Sequence, residues 1–201
     1  MTKTLFLPGA TGNASFWKPA AAYAGIDGLF IAWPGLGDET PDPDVNGIGD
    51  LVALVLDQMY EPVNIVAQSM GGVVAVMAAL ARPAMVSRLA LAVTSGGLPM
   101  VDLGGSEWRT NYRRRFPSAA QWIADPVPDL SSQLPAVAAP TLLLWGGCDP
   151  ISPVAVGQRL HDLLPNATLH VIREADHDLA LSHAERVGRL IAAHLAPVVE
   201  G

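Results

Sequence analysis

The hexapeptide Ala67-Gln68-Ser69-Met70-Gly71-Gly72 decides the fold, because it joins two segments of opposite character. The apolar run 62–67 is typical of a buried parallel strand, and the Ala-rich run 73–81 is long enough for a buried helix. A serine at such a strand-to-helix turn, with small residues two positions before and after it, fits a nucleophile elbow. The turn is so tight that larger side chains at Ala67 and Gly71 would collide. The free N–H groups at the helix start would face the serine, so the sequence predicts a serine nucleophile.

The composition narrows the class of protein. Half of the 201 residues are hydrophobic and only 15% are charged, which predicts a single domain over residues 1–201 with a large core. The formal net charge of −7 argues against nucleic acid or an anionic membrane as a partner. No apolar run reaches the ~18 residues of a membrane span, and residues 1–9 do not resemble a signal peptide. Cys148 is the only cysteine, so no internal disulfide can form, and we expect a cytoplasmic protein. We also expect a monomer or a small homo-oligomer that acts on a small molecule.

Strand-like and helix-like runs alternate along the chain, which is typical of an α/β fold with a mainly parallel sheet of about six strands and helices on both faces. The predicted strands are residues 4–8, 29–33, 63–67, 88–93, 141–145 and 168–172. The predicted helices are about 15–24, 48–60, 70–81, 154–164 and 183–195. More than forty residues without a clear strand separate the fourth and fifth strands. We expect the part of this insertion at about 96–139 to form a short, partly helical cap.

Four segments together resemble the α/β-hydrolase fold family over nearly the whole chain. Residues 5–10 with Trp17 resemble the family's strand and oxyanion loop, and residues 67–72 resemble its nucleophile elbow. Residues 143–153 resemble the strand and loop that carry the acid, and residues 175–177 resemble the histidine loop. Each segment lies at the C-terminal end of a predicted strand, in the family's chain order of serine, aspartate and histidine.

The resemblance implies a catalytic triad in which Ser69 is the nucleophile, His177 the base and Asp149 the acid. His177 is also the only histidine in a loop just past a predicted strand end. The other histidines are interpreted as residues of the surface or of a sheet face: His161, His170, His183 and His194. Asp102 and Asp125 in the insertion are rival acids, since some family members recruit the carboxylate from after the preceding strand.

The oxyanion hole implied by the resemblance consists of the backbone N–H groups of Ala10 and Met70. Two features depart from the family pattern. Many members have His-Gly where this chain has Pro8-Gly9, and the family usually begins with two strands that precede the first one predicted here. Because the contribution of this loop is a backbone N–H, the change of side chain need not abolish it.

Candidate substrate contacts are Trp33, Trp108, Arg109 and Trp122. Trp33 is the last residue of the second predicted strand and begins the segment 33–38, which resembles the family's loop beside the pocket. The two tryptophans of the predicted cap could line an apolar acyl pocket or only hold the cap to the domain. Four of the twelve basic residues fall within Arg109–Arg115, a cluster that could bind a substrate carboxylate or form one solvated face of a helix.

These observations predict a carboxylesterase-like serine hydrolase that cleaves a small or medium carboxylic ester or a related acyl substrate through an acyl-Ser69 intermediate. No metal and no cofactor is expected. The same fold and triad also support lyase, C–C bond hydrolase and cofactor-free peroxidase activities, because function belongs to the site rather than to the fold. The remaining alternative is a small-ligand sensor with little turnover.

Overall fold

Six strands form one parallel sheet in the computed structural model, which describes residues 2–197. The strands are β1 (Thr4–Leu7), β2 (Leu29–Phe30), β3 (Val63–Gln68), β4 (Val86–Ala92), β5 (Thr141–Gly146) and β6 (Ala167–Ile172). Their order across the sheet is β2-β1-β3-β4-β5-β6, and each neighbouring pair is parallel. The predicted six-stranded parallel sheet is confirmed.

The described residues form seven α-helices that cover both faces of this sheet. They are α1 (Lys18–Ala24), α2 (Ile48–Leu56), α3 (Met70–Ala81), α4 (Arg109–Arg115), α5 (Val154–Leu163), α6 (Leu179–Ser182) and α7 (Ala184–Leu195). Helix α1 packs against α7, and α2 packs against α3. Right-handed crossovers place α1 on the face opposite to α2 and α3, because the chain runs outward from β1 to β2 and then back to β3. No helix between residues 2 and 197 combines the length and the apolar character that a membrane crossing requires.

The strand order reverses between β1 and β3, and this reversal positions the site. Open α/β sheets bind ligands beyond the carboxyl ends of their strands at such a switch point. Leu7 at the end of β1 lies opposite Ala67 near the end of β3. The loops that follow these two residues therefore leave the sheet side by side.

The strand β2 is shorter than the predicted run 29–33. The Ile31 N–H still donates to the Phe6 carbonyl oxygen at 3.0 Å. The Trp33 N–H instead donates to the Gly12 carbonyl oxygen at 3.0 Å, so the chain has already left the sheet. Trp33 consequently lies in a buried loop rather than in a strand.

The helix boundaries follow the predictions to different degrees. Helix α3 covers the predicted residues. Helix α2 ends at Leu56 rather than Tyr60, because the N–H groups of Gln58 and Met59 bond to carbonyl oxygens three residues back. Such bonds tighten the chain into a 3-10 turn at the helix end.

The segment between β4 and β5 contains α4 and three 3-10 turns, at Val101–Leu103, Gln121–Ala124 and Leu134–Ala136. Its partly helical character agrees with the expectation for residues 96–139. Leu130 and Leu134 are buried in this segment, and the Leu130 N–H donates to the Gly97 carbonyl oxygen at 2.9 Å. The role of the segment as a cap stays a prediction, as does the assignment of residues 1–201 to one domain.

The packing of α7 on α1 leads to a test of the fold. A methyl group at Gly188 would overlap the carbonyl oxygen of Ala20, so Gly188→Ala should lower the free energy of unfolding by about 1–3 kcal/mol. Gly49 in α2 has open space around its Cα, so the matched change Gly49→Ala should raise it by about 0.5–1 kcal/mol. Urea denaturation of the two variants measures both effects. Equal stabilities would contradict the described contact between α1 and α7.

Candidate active site

The turn between β3 and α3 holds Ser69 in a backbone conformation that residues other than glycine rarely adopt. Its φ is 53° and its ψ is −122°. Such strained conformations of residues other than glycine concentrate at functional sites. A Cβ at Gly71 would overlap the carbonyl oxygen of Pro8, so the loop after β1 is what excludes a larger side chain there. The close contact between the Pro8 carbonyl oxygen and Gly71 therefore explains why a small residue is needed two positions after the serine.

Ser69, His177 and Asp149 lie in one hydrogen-bonded line. The His177 Nε2 is 3.0 Å from the Ser69 Oγ, and the His177 Nδ1 is 2.7 Å from the Asp149 Oδ2. With its proton on Nδ1, the imidazole donates to the carboxylate and accepts from the serine hydroxyl. This arrangement suits an imidazole that removes the hydroxyl proton.

The Asp149 carboxylate is buried and held from three directions. Its Oδ1 accepts from the N–H groups of Ile151 at 2.8 Å and Ser152 at 3.1 Å, while its Oδ2 faces His177. Its side chain is 0% exposed. These backbone donors fix the direction of the carboxylate. Asp149 therefore orients the imidazole from a rigid loop after β5.

The rival acids do not contact His177. Asp102 is exposed in a 3-10 turn of the β4–β5 segment. Asp125 lies on a cavity wall, and the imidazole nitrogens of His177 hydrogen-bond to Asp149 and Ser69 rather than to it.

The other histidines lie away from this line, and two of them are less exposed than expected. His161 and His170 are exposed, and His183 is half-buried beside Glu174. His194 is also half-buried, and burial lowers its pKa, as does the positive charge of Arg88. One side of α7 packs on β4 and β5, and this packing partly covers His194.

The two expected oxyanion donors belong to residues near Ser69, since Met70 follows it in the chain and Ala10 lines the same cavity. Met70 is the first residue of α3, and Ala10 lies in the loop after β1. Neither backbone N–H has a hydrogen-bond acceptor within residues 2–197. Both are therefore available to an oxygen above Ser69, and their role as an oxyanion hole stays a prediction.

Two cavities meet at Ser69 and His177. The first has a volume of about 320 Å³, and its mostly apolar wall includes Val73, Met100, Trp108, Trp122, Ile123 and Val127. The second has a volume of about 370 Å³, and its more polar wall includes Ala10, Gln68, Asn111, Tyr112 and Arg115. Trp108 and Ile151 line both cavities, so a bound molecule could extend in two directions from the serine.

Three of the four candidate substrate contacts line the first cavity. Trp108 and Trp122 lie there, and the Nε1 of Trp122 is buried without a hydrogen-bond partner among the described residues. Arg109 also lines it, donates from Nε to the Ala124 carbonyl oxygen at 3.2 Å and lies 4.9 Å from the Trp108 ring centre. Trp33 lies apart from them.

Trp33 is fully buried, and its indole Nε1 donates to the Pro8 carbonyl oxygen at 2.8 Å. The structure therefore places it behind the loop after β1, where it supports that loop, rather than on a cavity wall. Sequence reasoning placed it beside the pocket from the position of its loop alone.

Thr94 supports the serine turn and was missed by the sequence reasoning. Its hydroxyl donates to the Ser69 carbonyl oxygen at 2.6 Å and accepts from the Gly96 N–H at 3.0 Å. The residue follows β4, which pairs with β3, so it lies at the same edge of the sheet as the serine. A polar residue directly after a predicted central strand was the signal that could have identified it.

We expect Thr94→Val to lower the free energy of unfolding by about 1–3 kcal/mol, since it leaves the Ser69 carbonyl and the Gly96 N–H unpaired. It should also slow the reaction of Ser69 with a fluorophosphonate probe. The matched control is Thr141→Val, which removes a buried hydroxyl bonded to the Ala139 carbonyl oxygen at the other end of the sheet. The control should lose stability without a change in the labelling rate. Equal labelling rates in the two variants would contradict the supporting role of Thr94.

No group of three or more histidine, cysteine, aspartate or glutamate side chains within residues 2–197 is arranged to hold a metal ion. Besides His177, the charged residues on the two cavity walls are Arg109, Arg115, Glu107, Asp125 and Asp178.

The chain is similar in sequence to curated hydrolases. The 2-hydroxy-6-oxononadienedioate/2-hydroxy-6-oxononatrienedioate hydrolase of Cupriavidus pinatubonensis is 28% identical over 243 aligned positions, which cover 94% of this chain and 83% of that protein. The pimeloyl-[acyl-carrier protein] methyl ester esterase of Neisseria meningitidis serogroup A is 29% identical over 191 positions, covering 73% of this chain and 60% of that protein.

The fold is also that of solved hydrolases. The meta-cleavage product hydrolase from Pseudomonas fluorescens IP01 superimposes with a TM-score of 0.77 and 18% identity, over 96% of this chain and 90% of that one. The model of the alpha/beta hydrolase family matches residues 4–190, which confirms the resemblance found in the sequence. This chain belongs to the alpha/beta hydrolase family.

Proposed function

We propose that the protein is a serine hydrolase that cleaves a small or medium carboxylic ester, or a related acyl compound, through an acyl-Ser69 intermediate. The observation that carries the proposal is the hydrogen-bonded line from Ser69 through His177 to Asp149. A serine hydroxyl is a weak nucleophile unless a base removes its proton during attack, and this line supplies the base.

In the first half of the reaction, His177 Nε2 takes the hydroxyl proton while the Ser69 Oγ attacks the carbonyl carbon. The carbonyl oxygen becomes negatively charged and accepts hydrogen bonds from the N–H groups of Met70 and Ala10. Asp149 stabilises the imidazolium that forms. The imidazolium then gives its proton to the leaving alcohol, which departs and leaves the acyl group on the serine.

In the second half, His177 removes a proton from water, which attacks the acyl carbon through the same oxyanion arrangement. The tetrahedral intermediate collapses, the Ser69 oxygen regains its proton from His177, and the carboxylic acid is released. The protein returns to its starting state, and the net reaction consumes one ester and one water.

The cavities support a substrate of limited size. Volumes of about 320 and 370 Å³ lie at the low end of the ~300–1,000 Å³ range of small-molecule sites. The apolar first cavity suits a hydrocarbon part of the substrate, whereas the second cavity offers amide, hydroxyl and guanidinium groups. A substrate with one apolar arm and one polar arm matches both.

A second candidate is a C–C bond hydrolase, which the names of several relatives favour. The Cupriavidus protein is named for a dioate substrate, that is, one with two carboxylates. Arg109 supports this candidate, because no carboxylate within residues 2–197 lies at ion-pair distance from it and it lines the cavity that contains Ser69. An arginine so placed can hold a substrate carboxylate.

We expect Ser69→Ala to abolish labelling by a fluorophosphonate and to lower the hydrolysis of p-nitrophenyl esters by at least about 10⁴-fold, because the nucleophile is lost. The matched control Ser118→Ala changes an exposed serine that lines neither cavity and should leave labelling intact. Assays on p-nitrophenyl acetate and butyrate, alongside a 2-hydroxy-6-oxo-dienoate, separate the two candidates. Ester turnover that survives Ser69→Ala would overturn both the intermediate and the proposal.

Asp149→Asn should lower kcat by about 10³–10⁴-fold, because an amide in that place favours the wrong imidazole tautomer at His177. The same substitution at the exposed rival acid, Asp102→Asn, should leave kcat unchanged. Steady-state kinetics on one activated ester measures both. A large loss at residue 102 with none at residue 149 would show that the acid comes from the β4–β5 segment.

A further inference from the structure

Tyr112 of α4 is the buried one of the three tyrosines. It is 8% exposed, whereas Tyr23 is 59% and Tyr60 is 84% exposed. Its hydroxyl donates to the Ala10 carbonyl oxygen at 2.7 Å and accepts from the Gly37 N–H at 2.8 Å. One side chain from the β4–β5 segment thus joins the loops that follow β1 and β2.

The hydroxyl keeps its proton in this position. Burial raises the pKa of Tyr112, and the nearby negative charge of Asp38 acts in the same direction. Tyr112 lines the second cavity, but its hydroxyl hydrogen is committed to Ala10. The group is therefore placed to hold a loop rather than to exchange protons with a substrate.

The bonds on either side of Ala10 fix the direction of its N–H. The Gly9 carbonyl oxygen accepts from the Gly12 N–H at 3.1 Å, and the Ala10 carbonyl oxygen accepts from Tyr112. Across a trans peptide bond the C=O and the N–H point in opposite directions, so the first bond aims the Ala10 N–H away from Gly12. The bond from Tyr112 fixes the peptide plane between Ala10 and Thr11. With the peptide planes on both sides fixed, the backbone of Ala10 has little freedom to rotate.

The tyrosine is itself held firmly. Glu107 accepts hydrogen bonds from the N–H groups of Arg109 and Thr110 at the start of α4, and these bonds lower its pKa. The Tyr112 ring packs edge-on against Trp108 and at a tilt against Phe116, with ring centres 5.7 and 5.1 Å away. Trp108 lines both cavities, so the same short helix carries part of the cavity wall and the tether to the loop.

We infer that Tyr112 is a positioning residue that holds the Ala10 N–H in the geometry needed to bind the oxyanion. The oxyanion hole then forms only when the β4–β5 segment is packed against the loop after β1. The inference rests on the proposed function, because it assigns a cause to the placement of a donor in that mechanism. The hydroxyl does not touch the reacting atoms. Its effect should consequently appear in transition-state binding rather than in substrate binding.

The test is Tyr112→Phe, which removes the hydroxyl and keeps the ring. We expect kcat for an activated ester to fall roughly 10- to 100-fold with little change in KM, since a displaced oxyanion donor weakens the transition state selectively. Affinity for a trifluoromethyl ketone, which forms a tetrahedral adduct with the serine, should fall by a similar factor, and affinity for the matching methyl ketone should not. Equal losses for both ketones, or an unchanged kcat, would overturn the inference.

The matched control is Tyr60→Phe, which removes a hydroxyl from an exposed tyrosine and should behave as wild type. The variant Ser69→Ala distinguishes a failure of the positioning role from a failure of the proposed function. If it abolishes turnover while Tyr112→Phe matches wild type, the positioning role fails and the proposed function stands. If Ser69→Ala retains turnover, the proposed function itself fails.

A second measurement needs no variant and therefore does not depend on the folding of Tyr112→Phe. By reciprocity, a bond that favours the oxyanion-binding geometry must itself be stabilised when the adduct forms. Hydrogen exchange at the Gly37 amide should slow about fivefold or more in the trifluoromethyl ketone adduct of wild type. Exchange at the remote Leu164 amide, which bonds to the Leu160 carbonyl oxygen, should not change. Unchanged exchange at Gly37 would contradict the inference.

Discussion

The parallel pairing of β1 with β3 is the constraint on which the whole site depends. Because Leu7 lies opposite Ala67, the carbonyl oxygen of Pro8 reaches the turn after β3 and leaves room only for glycine at position 71. Slippage of the pairing by one residue would turn every side chain of β3 to the other face of the sheet. The serine would then no longer lie beside the loop that contains the second proposed backbone donor. The buried apolar strands thus set the distance between the serine turn and the loop after β1, the two groups that act on one oxygen atom in the proposed mechanism.

The site consists of two parts, a rigid part formed by loops of the sheet and an attached part formed by the β4–β5 segment. The rigid part consists of the serine turn, the Asp149 loop and the histidine loop, all at the carboxyl ends of strands in the middle or at one side of the sheet. The attached part is the β4–β5 segment, which supplies Trp108, Arg109 and Trp122 to the cavity wall. In the proposed function, reaction type depends mainly on the first part, whereas the choice of substrate depends mainly on the second. Relatives that share the fold but carry names of different hydrolases fit this division.

The sequence sufficed to predict the convergence of Ser69, His177 and Asp149, because each follows an apolar strand and parallel strands end at one edge of a sheet. It did not suffice for Trp33, whose direction is decided after the strand ends by a bond between its N–H and the Gly12 carbonyl. The role of Tyr112 was also not predictable from the sequence, in which it lies among four arginines at 109–115. The partners of that tyrosine lie 75 and 102 residues away along the chain, and no local pattern encodes such contacts.

The five tryptophans are divided between the interior and the cavities, and this division has a practical consequence. Trp17, Trp33 and Trp145 are fully buried, and each indole N–H donates to a backbone carbonyl oxygen of the interior. Trp108 and Trp122 instead line the cavity that contains the serine. Intrinsic fluorescence from this protein is therefore a mixture of two signals. An acrylamide-accessible fraction of the emission would report occupancy of the cavity, while the shielded fraction would report only the integrity of the folded interior.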